Sequence, residues 1–288
     1  MDEPTRATGP RAAALAFDFG ENWDHFSRDV LDAGRLAAAA ASLGDLVGAE
    51  RLAGARVCDI GCGSGLFSIA AGTLGAASVL GFDINPRAVE VARRNAAALA
   101  PDADGRVVFT RGSALDGAFT AGLGRFDVAY AWGSLHHTGA MWPAIANAAG
   151  LVDDGGTLVL ALYNRHWSSP GWTAVKILYN LCPRPLRPLL NGLFGAVIYL
   201  ATLLVTGSSP LRKERGMDFH YDVIDWLGGY PYEYASIEEV RTRVEALGFR
   251  LERALPPRVP TGCNEFVFRR VESGAAGRDG HAGQGRDR

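Results

Sequence analysis

The sequence is poor in cysteine and nearly balanced in charge, and each feature excludes a class of protein. Its cysteines, Cys58, Cys62, Cys182 and Cys263, form no CxxC pair and no metal-ligand spacing, so we predict no metal site. The 29 Lys and Arg residues nearly match 31 Asp and Glu residues, and the formal net charge of −2 gives no long-range attraction for nucleic acid. The first residues, MDEPTRATGP, lack the apolar core of a secretion signal, so we expect a cytoplasmic protein.

Both ends of the chain lack the apolar residues that a packed core requires. Residues 1–14 are polar or rich in Ala and Pro, and residues 273–288 are rich in Gly, Ala and Arg without periodicity. Such segments bury too little apolar surface to offset the entropy lost on ordering, so we predict that both are disordered. The chain as a whole is 48% hydrophobic, and the stretch between the ends is long enough to bury one large α/β core.

Strand and helix patterns alternate through the first half of this stretch. Apolar runs that suit buried strands lie at residues 56–60, 78–82, 107–110, 126–131 and 157–163. Helical patterns separate these runs, including one that Asn85 caps and Pro86 begins. This order is typical of a parallel, doubly wound sheet.

The C-terminal part has a different pattern. Ser236 and Glu239 form a capping box for a helix, and strands at residues 249–253 and 265–271 follow. The Pro-rich loop between these two strands is too short for a crossover helix, so they should pair antiparallel. We therefore predict an α/β, doubly wound, Rossmann-like seven-stranded sheet, mostly parallel with an antiparallel C-terminal strand, and an inserted mainly helical cap.

These patterns divide the chain into six segments. They are a disordered N-terminus (1–14), an N-terminal helical lid (15–53), a cofactor-binding core (54–163), a cap or substrate insertion (164–235), the C-terminal part of the core (236–272) and a disordered tail (273–288). The cap is far longer than an ordinary connection between a strand and a helix, which favours a role of its own.

A glycine-rich loop follows the first predicted strand. It reads Asp59-Ile-Gly61-Cys-Gly63-Ser-Gly65, a GxGxG spacing with an acid two residues before the first glycine. Glycines at these positions let backbone N–H groups approach a ligand closely. A dinucleotide fingerprint has the spacing GxGxxG instead, and the carboxylate of Asp59 would repel a pyrophosphate but suit a cationic amino group.

A second acid, Asp83, follows the second predicted strand. A carboxylate at this place in a doubly wound sheet can accept hydrogen bonds from both hydroxyls of a ribose. Taken alone it is also explained as an acid at a helix N-terminus. Together with the glycine loop, it favours a nucleoside-containing ligand.

The two segments, Asp59 to Gly65 and Gly81-Phe-Asp83, resemble motifs I and II of the class I S-adenosylmethionine-dependent methyltransferases. The resemblance is close over residues 54–164 and looser for the last two strands. It implies S-adenosyl-L-methionine as cofactor, with backbone contacts from the loop, including Cys62, and Asp83 as the ribose ligand. It also implies that Ile84 lies against the adenine.

The chain departs from the family pattern after the third predicted strand. Where the family often has an acid near the adenine amine, this chain has Ser113 and Ala114. After the fourth strand, Trp132 and the glycine beside it suit a backbone path beneath the methyl donor. The adenine contacts are therefore implied only by position.

Two histidines, His136 and His137, follow Trp132. A similar Leu-His-His segment is typical of methyltransferases that act on small molecules and quinones. An imidazole can deprotonate a hydroxyl, phenol or amine as the methyl group moves, so both are candidate catalytic bases. Alternatively, either one packs or hydrogen-bonds structurally.

Absent motifs narrow the acceptor. The chain has no Asp-Pro-Pro-Tyr type segment and no Pro-Cys nucleophile, which are typical of nucleic-acid methyltransferases. We expect a small, hydrophobic or aromatic acceptor, with O-methylation favoured and no nucleic-acid partner. The alternatives are a relative that performs a non-methyl transfer or no catalysis, and a nicotinamide-dependent oxidoreductase.

Aromatic and polar side chains of the N-terminal segment and the cap are candidate acceptor contacts. Cap aromatics can wall a hydrophobic pocket, or form the core of a subdomain. The candidate substrate-binding residues are Phe19, Trp23, Tyr163, Asp218, His220 and Tyr230. Phe19 and Trp23 lie in a segment that either folds over the cofactor or packs on the sheet.

Residues 189–206 form an almost wholly apolar run within the cap. Its length is at the lower limit for a bilayer span, and Arg184 and Arg187 precede it. Three interpretations stay open: a membrane span, a weak contact with a membrane surface, and a buried or substrate-covering helix. The second would make the protein peripheral at the membrane.

Overall fold

The computed structural model describes residues 17–103, 105–211 and 215–272. The predicted disordered segments, 1–14 and 273–288, lie outside the described residues. The strands are β1 (Arg56–Ile60), β2 (Ser78–Asp83), β3 (Val107–Arg111), β4 (Phe126–Trp132), β5 (Val152–Tyr163), β6 (Phe249–Leu255) and β7 (Cys263–Arg270).

Helices connect and cover these strands. The α-helices are α1 (Phe19–Asp29), α2 (Ala33–Val47), α3 (Ala49–Leu52), α4 (Leu66–Thr73), α5 (Pro86–Leu99), α6 (Gly117–Gly122), α7 (Met141–Gly150), α8 (Ser169–Leu181), α9 (Arg187–Thr206), α10 (Phe219–Gly228) and α11 (Ile237–Glu245). Short 3-10 turns lie at Pro101–Ala103, Leu135–His137 and Arg184–Leu186.

The strands form one seven-stranded sheet in the order β3-β2-β1-β4-β5-β7-β6. Strands β1 to β5 pair parallel, whereas β7 pairs antiparallel with both β5 and β6. The predicted mostly parallel sheet with an antiparallel C-terminal strand is confirmed. The strand order reverses between β1 and β4, and a ligand crevice is expected there, beyond the carboxyl ends of these strands.

Strand β1 shows why this part of the sheet is stable. After its first residue it is buried throughout, because helices cover both faces of a parallel sheet. Val57 packs into the core on one face, and Cys58 and Ile60 pack into the core on the other. Strand β1 is thus a rigid support for the glycine loop that follows it.

Ion pairs hold the N-terminal helix α1 against α5, one of the helices that cover the sheet. The buried carboxylate of Asp24 accepts from Arg87 and Arg94 of α5, each at 2.8 Å, and pairs with Arg28 at 3.0 Å. Hydrogen bonds from Arg87 and Arg94 lower the pKa of Asp24 to about 2. Helix α1 therefore lies against α5, beside the glycine loop.

The cap between β5 and α11 is helical, as predicted, and has a small core of its own. Tyr179 of α8 packs with Val223 and Leu227 of α10. Ser236 and Glu239 form the predicted capping box at the start of α11, where the chain returns to the sheet. The cap therefore stands over the carboxyl ends of the strands as a separate layer.

Helix α9 corrects one of the sequence-based interpretations. The third alternative for residues 189–206 was a buried or substrate-covering helix. Its buried form is wrong because no residue of α9 is buried, and its substrate-covering form stays a prediction. Arg184–Thr206, with a mean hydropathy of 2.0, has the length and composition of a membrane-crossing helix. Among the described residues, this is the one helical segment with those properties.

Candidate active site

A cavity of about 2150 Å³ opens at the predicted place, beyond the carboxyl ends of β1 and β4. The sheet edge, helix α1 and the cap all contribute walls. The predicted site residues that line it are Phe19, Trp23, Asp59, Gly61, Cys62, Asp83, Trp132, His136, His137 and Tyr163. The volume exceeds that of a typical single-ligand pocket, so it has room for a cofactor and an acceptor together.

The glycine loop makes one wall of this cavity by close backbone approach. Gly61 and Gly63 have positive φ angles of 72° and 53°, which favour glycine. A Cβ on Gly61 would lie 2.4 Å from the Cβ of Ser134, and one on Gly63 would lie 2.7 Å from the Trp23 ring. The Ser134 and Trp23 side chains therefore pack directly on the loop backbone, which only glycine permits, and Gly61 lines the cavity whereas Gly63 does not.

Gly65 has a different task within the same loop. It caps α4 in the left-handed conformation, with a φ of 76°. A Cβ here would lie 2.8 Å from the Cβ of Ala92 and 2.9 Å from the Phe109 ring. Gly65 therefore permits α4 to pack against α5 and β3. Gly65 was also a predicted cofactor contact, but it does not line the cavity.

Asp83 stands at the end of β2, across from the glycine loop. Its carboxylate accepts from the N–H groups of Gly63 at 3.1 Å and Asn85 at 2.8 Å. Burial raises its pKa, and these backbone hydrogen bonds oppose the shift. A carboxylate has about four acceptor positions, so two remain for the hydroxyls of a ribose.

Asp59, at the end of β1, is buried beneath the loop. Its carboxylate accepts from the Ser68 hydroxyl at 2.6 Å. Burial raises the pKa of Asp59 to about 7, with the neighbouring charge of Asp83 acting in the same direction and the Ser68 hydrogen bond opposing it. Two carboxyls close together in a dry site favour a cationic ligand group between them.

The predicted adenine contacts are less well placed. Ile84 follows β2 and is 64% exposed. Ser113 and Ala114 are half-buried, and the Ala114 carbonyl accepts from Asn147. These three residues do not line the cavity as it stands.

The two histidines occupy different surroundings in the 3-10 turn Leu135–His137. His137 Nδ1 lies 2.7 Å from the Pro231 carbonyl oxygen, so this nitrogen carries the proton and Nε2 keeps its lone pair. Burial lowers the pKa of His137 to about 3, and the charge of Lys176 acts in the same direction. The imidazole is therefore neutral at physiological pH and offers a hydrogen-bond acceptor to the cavity.

His136 is packed behind His137. Its ring lies 4.2 Å from the Tyr163 ring and 4.4 Å from the His137 ring, measured between centroids. Its Nδ1 is buried without a hydrogen-bond partner among the described residues. Burial lowers the pKa of His136 well below its ordinary value, so this ring is also neutral.

A buried lysine behind the histidines was not predicted. Lys176 of α8 is 1% exposed and donates to the Trp226 carbonyl. Its ammonium lies 4.8 Å from the Tyr232 ring, 5.2 Å from the Trp226 ring and 5.4 Å from the Tyr163 ring. Burial lowers its pKa to about 7, with Asp225 opposing the shift. The sequence did carry a signal, because Lys176 is the one charged residue of α8.

A second unpredicted group surrounds Trp132. The Trp132 indole donates to Glu265 at 2.9 Å, and Arg215 pairs with the same carboxylate at 3.0 Å. The Arg215 guanidinium also lies 4.3 Å from the Trp132 ring and donates to the Tyr130 hydroxyl at 2.9 Å. This network fixes the ring of Trp132 at the cavity wall and ties the cap to β4 and β7.

Three of the predicted acceptor contacts lie away from the cavity. Asp218 caps α10 and pairs with Arg35 at 3.2 Å, while His220 is exposed. Tyr230 is half-buried, and its carbonyl accepts from Phe17. Asp218 therefore supports the cap, and none of these three residues lines the cavity.

The strand order, the glycine loop after β1 and Asp83 at the end of β2 define a class I, S-adenosylmethionine-dependent methyltransferase. The Methyltransf_23 family model, described as a methyltransferase domain, matches residues 32–254. The chain belongs to this family of methyltransferases.

Relatives of known name match parts of the chain. The 27-O-demethylrifamycin SV methyltransferase of Amycolatopsis mediterranei (strain S699) is 39% identical over 108 residues, which are 38% of this chain and 38% of that protein. The ribosomal protein L11 methyltransferase of Aeromonas hydrophila subsp. hydrophila is 58% identical over 45 residues, 16% of this chain and 15% of that protein. The matched segments thus span less than half the length of these two relatives.

A solved structure shows the same fold. Magnesium protoporphyrin IX methyltransferase from Synechocystis PCC 6803, with bound SAH, aligns with a TM-score of 0.51 and 20% identity. The alignment covers 83% of this chain and 84% of that one. At this identity, the likeness shows the fold alone.

Proposed function

We propose that the chain transfers the methyl group of S-adenosyl-L-methionine to a hydroxyl group of a small, apolar acceptor. One observation carries this proposal. His137, whose Nδ1 is bonded to the Pro231 carbonyl and whose Nε2 therefore keeps a lone pair, lines the same cavity as Gly61 and Asp83. A proton acceptor and a nucleoside cradle in one cavity suit methyl transfer to oxygen.

The residues present fit the cofactor. Asp83 has acceptor positions left for ribose hydroxyls, and Gly61 lines the same cavity, where the methionine part would lie. Asp59 and Asp83 favour a cationic ammonium nearby. When bound, S-adenosyl-L-methionine supplies an electrophilic methyl group on a sulfonium.

Apolar walls support an apolar acceptor. Phe19 and Tyr163 line the cavity near the histidines, and Trp172, Trp226 and Val197 line it from the cap. The Amycolatopsis relative is named as the methyltransferase of 27-O-demethylrifamycin SV, and a name that specifies an oxygen supports the choice of a hydroxyl acceptor.

His137 would act as a late proton acceptor. With its pKa lowered to about 3, it is too weak a base to ionise a hydroxyl beforehand. The hydroxyl proton becomes strongly acidic once the oxygen gains the methyl group, and Nε2 can then take it. His136 and Tyr163 pack against the His137 ring and hold its orientation.

Product formation with hydroxylated acceptors tests the proposal. The protein is incubated with methyl-labelled cofactor and a panel of phenols, quinols and hydroxylated macrolactones, and S-adenosylhomocysteine is measured. We expect label on oxygen with at least one acceptor. Cofactor binding without S-adenosylhomocysteine formation would favour a relative that does not methylate, and binding of a nicotinamide cofactor instead would favour an oxidoreductase.

A further inference from the structure

Helix α9 carries a continuous apolar stripe on its outer face. Leu189, Leu193, Val197, Leu200 and Leu204 recur every three or four residues, which places them on one side of a helix. All five are exposed, from 52% for Val197 to 85% for Leu204. Soluble proteins rarely leave a stripe of this kind open to water, and such patches mark interaction sites.

The opposite side of α9 is already engaged. Leu190, Phe194 and Ile198 pack on the cap core formed by Tyr179, Val223 and Leu227. Further along the same side, Ala201 and Val205 line the cavity. A helix of 20 residues is about 30 Å long and could cross a bilayer. To cross a bilayer, however, α9 would have to leave the cap, and the apolar side chains of the cap core would then be exposed.

Cations precede the stripe at the start of α9. Residues 188–206 contain no charged residue, and Arg184 and Arg187 come directly before them. Arg184 is exposed and Arg187 half-buried at the start of α9, and among the described residues neither has an acidic partner. An apolar stripe beside cations matches the interior and the headgroups of an anionic bilayer.

We propose that the outer face of α9 docks, parallel to the surface, on an anionic lipid bilayer. A second copy of the chain fits this face less well. Because residues 155–213 contain no Asp or Glu, the α9 face of a second copy would offer the exposed Arg184 no acidic partner.

Docking in this orientation places the cavity at the lipid. Val197 and Val205 are exposed and also line the cavity, so the apolar wall of the cavity continues onto the docking face. An acceptor dissolved in the bilayer could enter along α9 without crossing water. This part of the inference rests on the proposed function and narrows the acceptor to a lipid-soluble hydroxyl compound, whereas the docking itself does not need catalysis.

Vesicle flotation tests the docking surface with the full chain. The probes are vesicles of phosphatidylcholine alone and vesicles in which about a third of the lipid is phosphatidylglycerol. Wild type should float with the anionic vesicles, more weakly at high salt and with neutral vesicles. The double variant Leu193→Glu/Leu200→Glu should bind at least about tenfold more weakly, because it puts two charges at the apolar contact.

A matched control places the same charges elsewhere. Val108 and Leu247 are exposed apolar residues outside the cap, so Val108→Glu/Leu247→Glu should float like wild type. Calorimetry with S-adenosylhomocysteine on all three proteins checks that the cavity is intact and reports on the proposed function separately. Equal flotation of wild type and the α9 variant, or none with wild type, would overturn the inference. So would a wild-type dimer that ignores vesicles and becomes a monomer on Leu193→Glu/Leu200→Glu, because a second copy would then cover the face.

Discussion

The two walls of the cavity are built in different ways. The cofactor wall consists of residues that immediately follow β1 and β2, held by backbone hydrogen bonds such as Gly63 to Asp83. The acceptor wall is assembled from the cap, and contacts such as Lys176 to Trp226 and Arg215 to Glu265 join residues about fifty positions apart.

This difference teaches where each kind of specificity resides. The cofactor wall depends on short segments that a parallel sheet always brings to the same edge. The acceptor wall depends on how a helical insertion packs, and it can change without disturbing the sheet. The four variants below probe the two walls separately, beginning with the largest expected effect.

Asp83→Ala should have the largest effect, on the cofactor wall. It removes a carboxylate that would accept two ribose hydroxyls, at about 1.5 to 3 kcal/mol for each charged hydrogen bond. We expect the affinity for S-adenosylhomocysteine to fall at least about a hundredfold by calorimetry. Asp153→Ala, at the amino end of the sheet beside Arg56, is the control and should bind normally. Retained affinity in Asp83→Ala would show that the ribose lies elsewhere.

Asp59→Asn should change the pH dependence of stability. Because the pKa of Asp59 is raised to about 7 in the folded state, its proton stabilises the fold at low pH. This contribution is lost as pH rises from about 4 to about 7, with an upper limit of about 4 kcal/mol. Urea titrations from pH 4 to 8 should show a smaller fall in the free energy of unfolding for Asp59→Asn. Parallel curves for the two proteins would contradict the raised pKa.

His137→Gln should reduce turnover through the acceptor wall. Loss of a proton acceptor at the reacting oxygen typically costs about a hundredfold in kcat. The affinity for S-adenosylhomocysteine should stay unchanged, since the cofactor wall is intact. His220→Gln is the matched control, because the exposed His220 lies outside the cavity. An equal loss of kcat in both variants would show that His137 is not the proton acceptor.

Lys176→Met should have the smallest effect, on stability alone. The pKa of Lys176 is lowered to about 7, so its charged form destabilises the fold below that pH, and stability is regained as pH rises from about 7 to about 10. The three ring faces around the ammonium offset part of this cost. We expect wild type to gain about 1 to 2 kcal/mol more than Lys176→Met between pH 7 and 10 in urea titrations. Arg250→Met, at an exposed arginine, is the control and should show the same pH dependence as wild type. If Lys176→Met gained as much free energy of unfolding between pH 7 and 10 as wild type, the lowered pKa of Lys176 would be contradicted.

The sequence predicts the cofactor wall well because its signals are local. The GxGxG spacing, Asp83 and the Asn85 cap are read within a few residues. The bounds of β1 to β4 agree with the prediction to within one residue, whereas β5 begins at Val152, five residues before its predicted start. The segment after β3 is the exception. Ser113 and Ala114 are predicted as adenine contacts only from their place in the chain, and that place does not determine the direction in which the loop turns.

The acceptor wall resists prediction because it depends on tertiary contacts. Asp218 and His220 stand in a polar loop, a pattern typical of sites, but the fold uses Asp218 as a helix cap and leaves His220 in water. Helix α9 illustrates the same limit, since an apolar run favours burial and yet no described part of the chain covers its outer face. The sequence shows that Lys176 is the one charged residue of α8, but it does not predict the aromatic rings that surround the ammonium.

The ion pairs of Asp24 have a consequence for the rate of exchange at the cavity. Arg87 and Arg94 of α5 both pair with the buried carboxylate of Asp24 and hold α1, which places Trp23 over the glycine loop. If the nucleoside lies beneath Trp23, then product can leave only after α1 swings out and these ion pairs break. We therefore expect dissociation of S-adenosylhomocysteine, rather than the chemical step, to limit steady-state turnover.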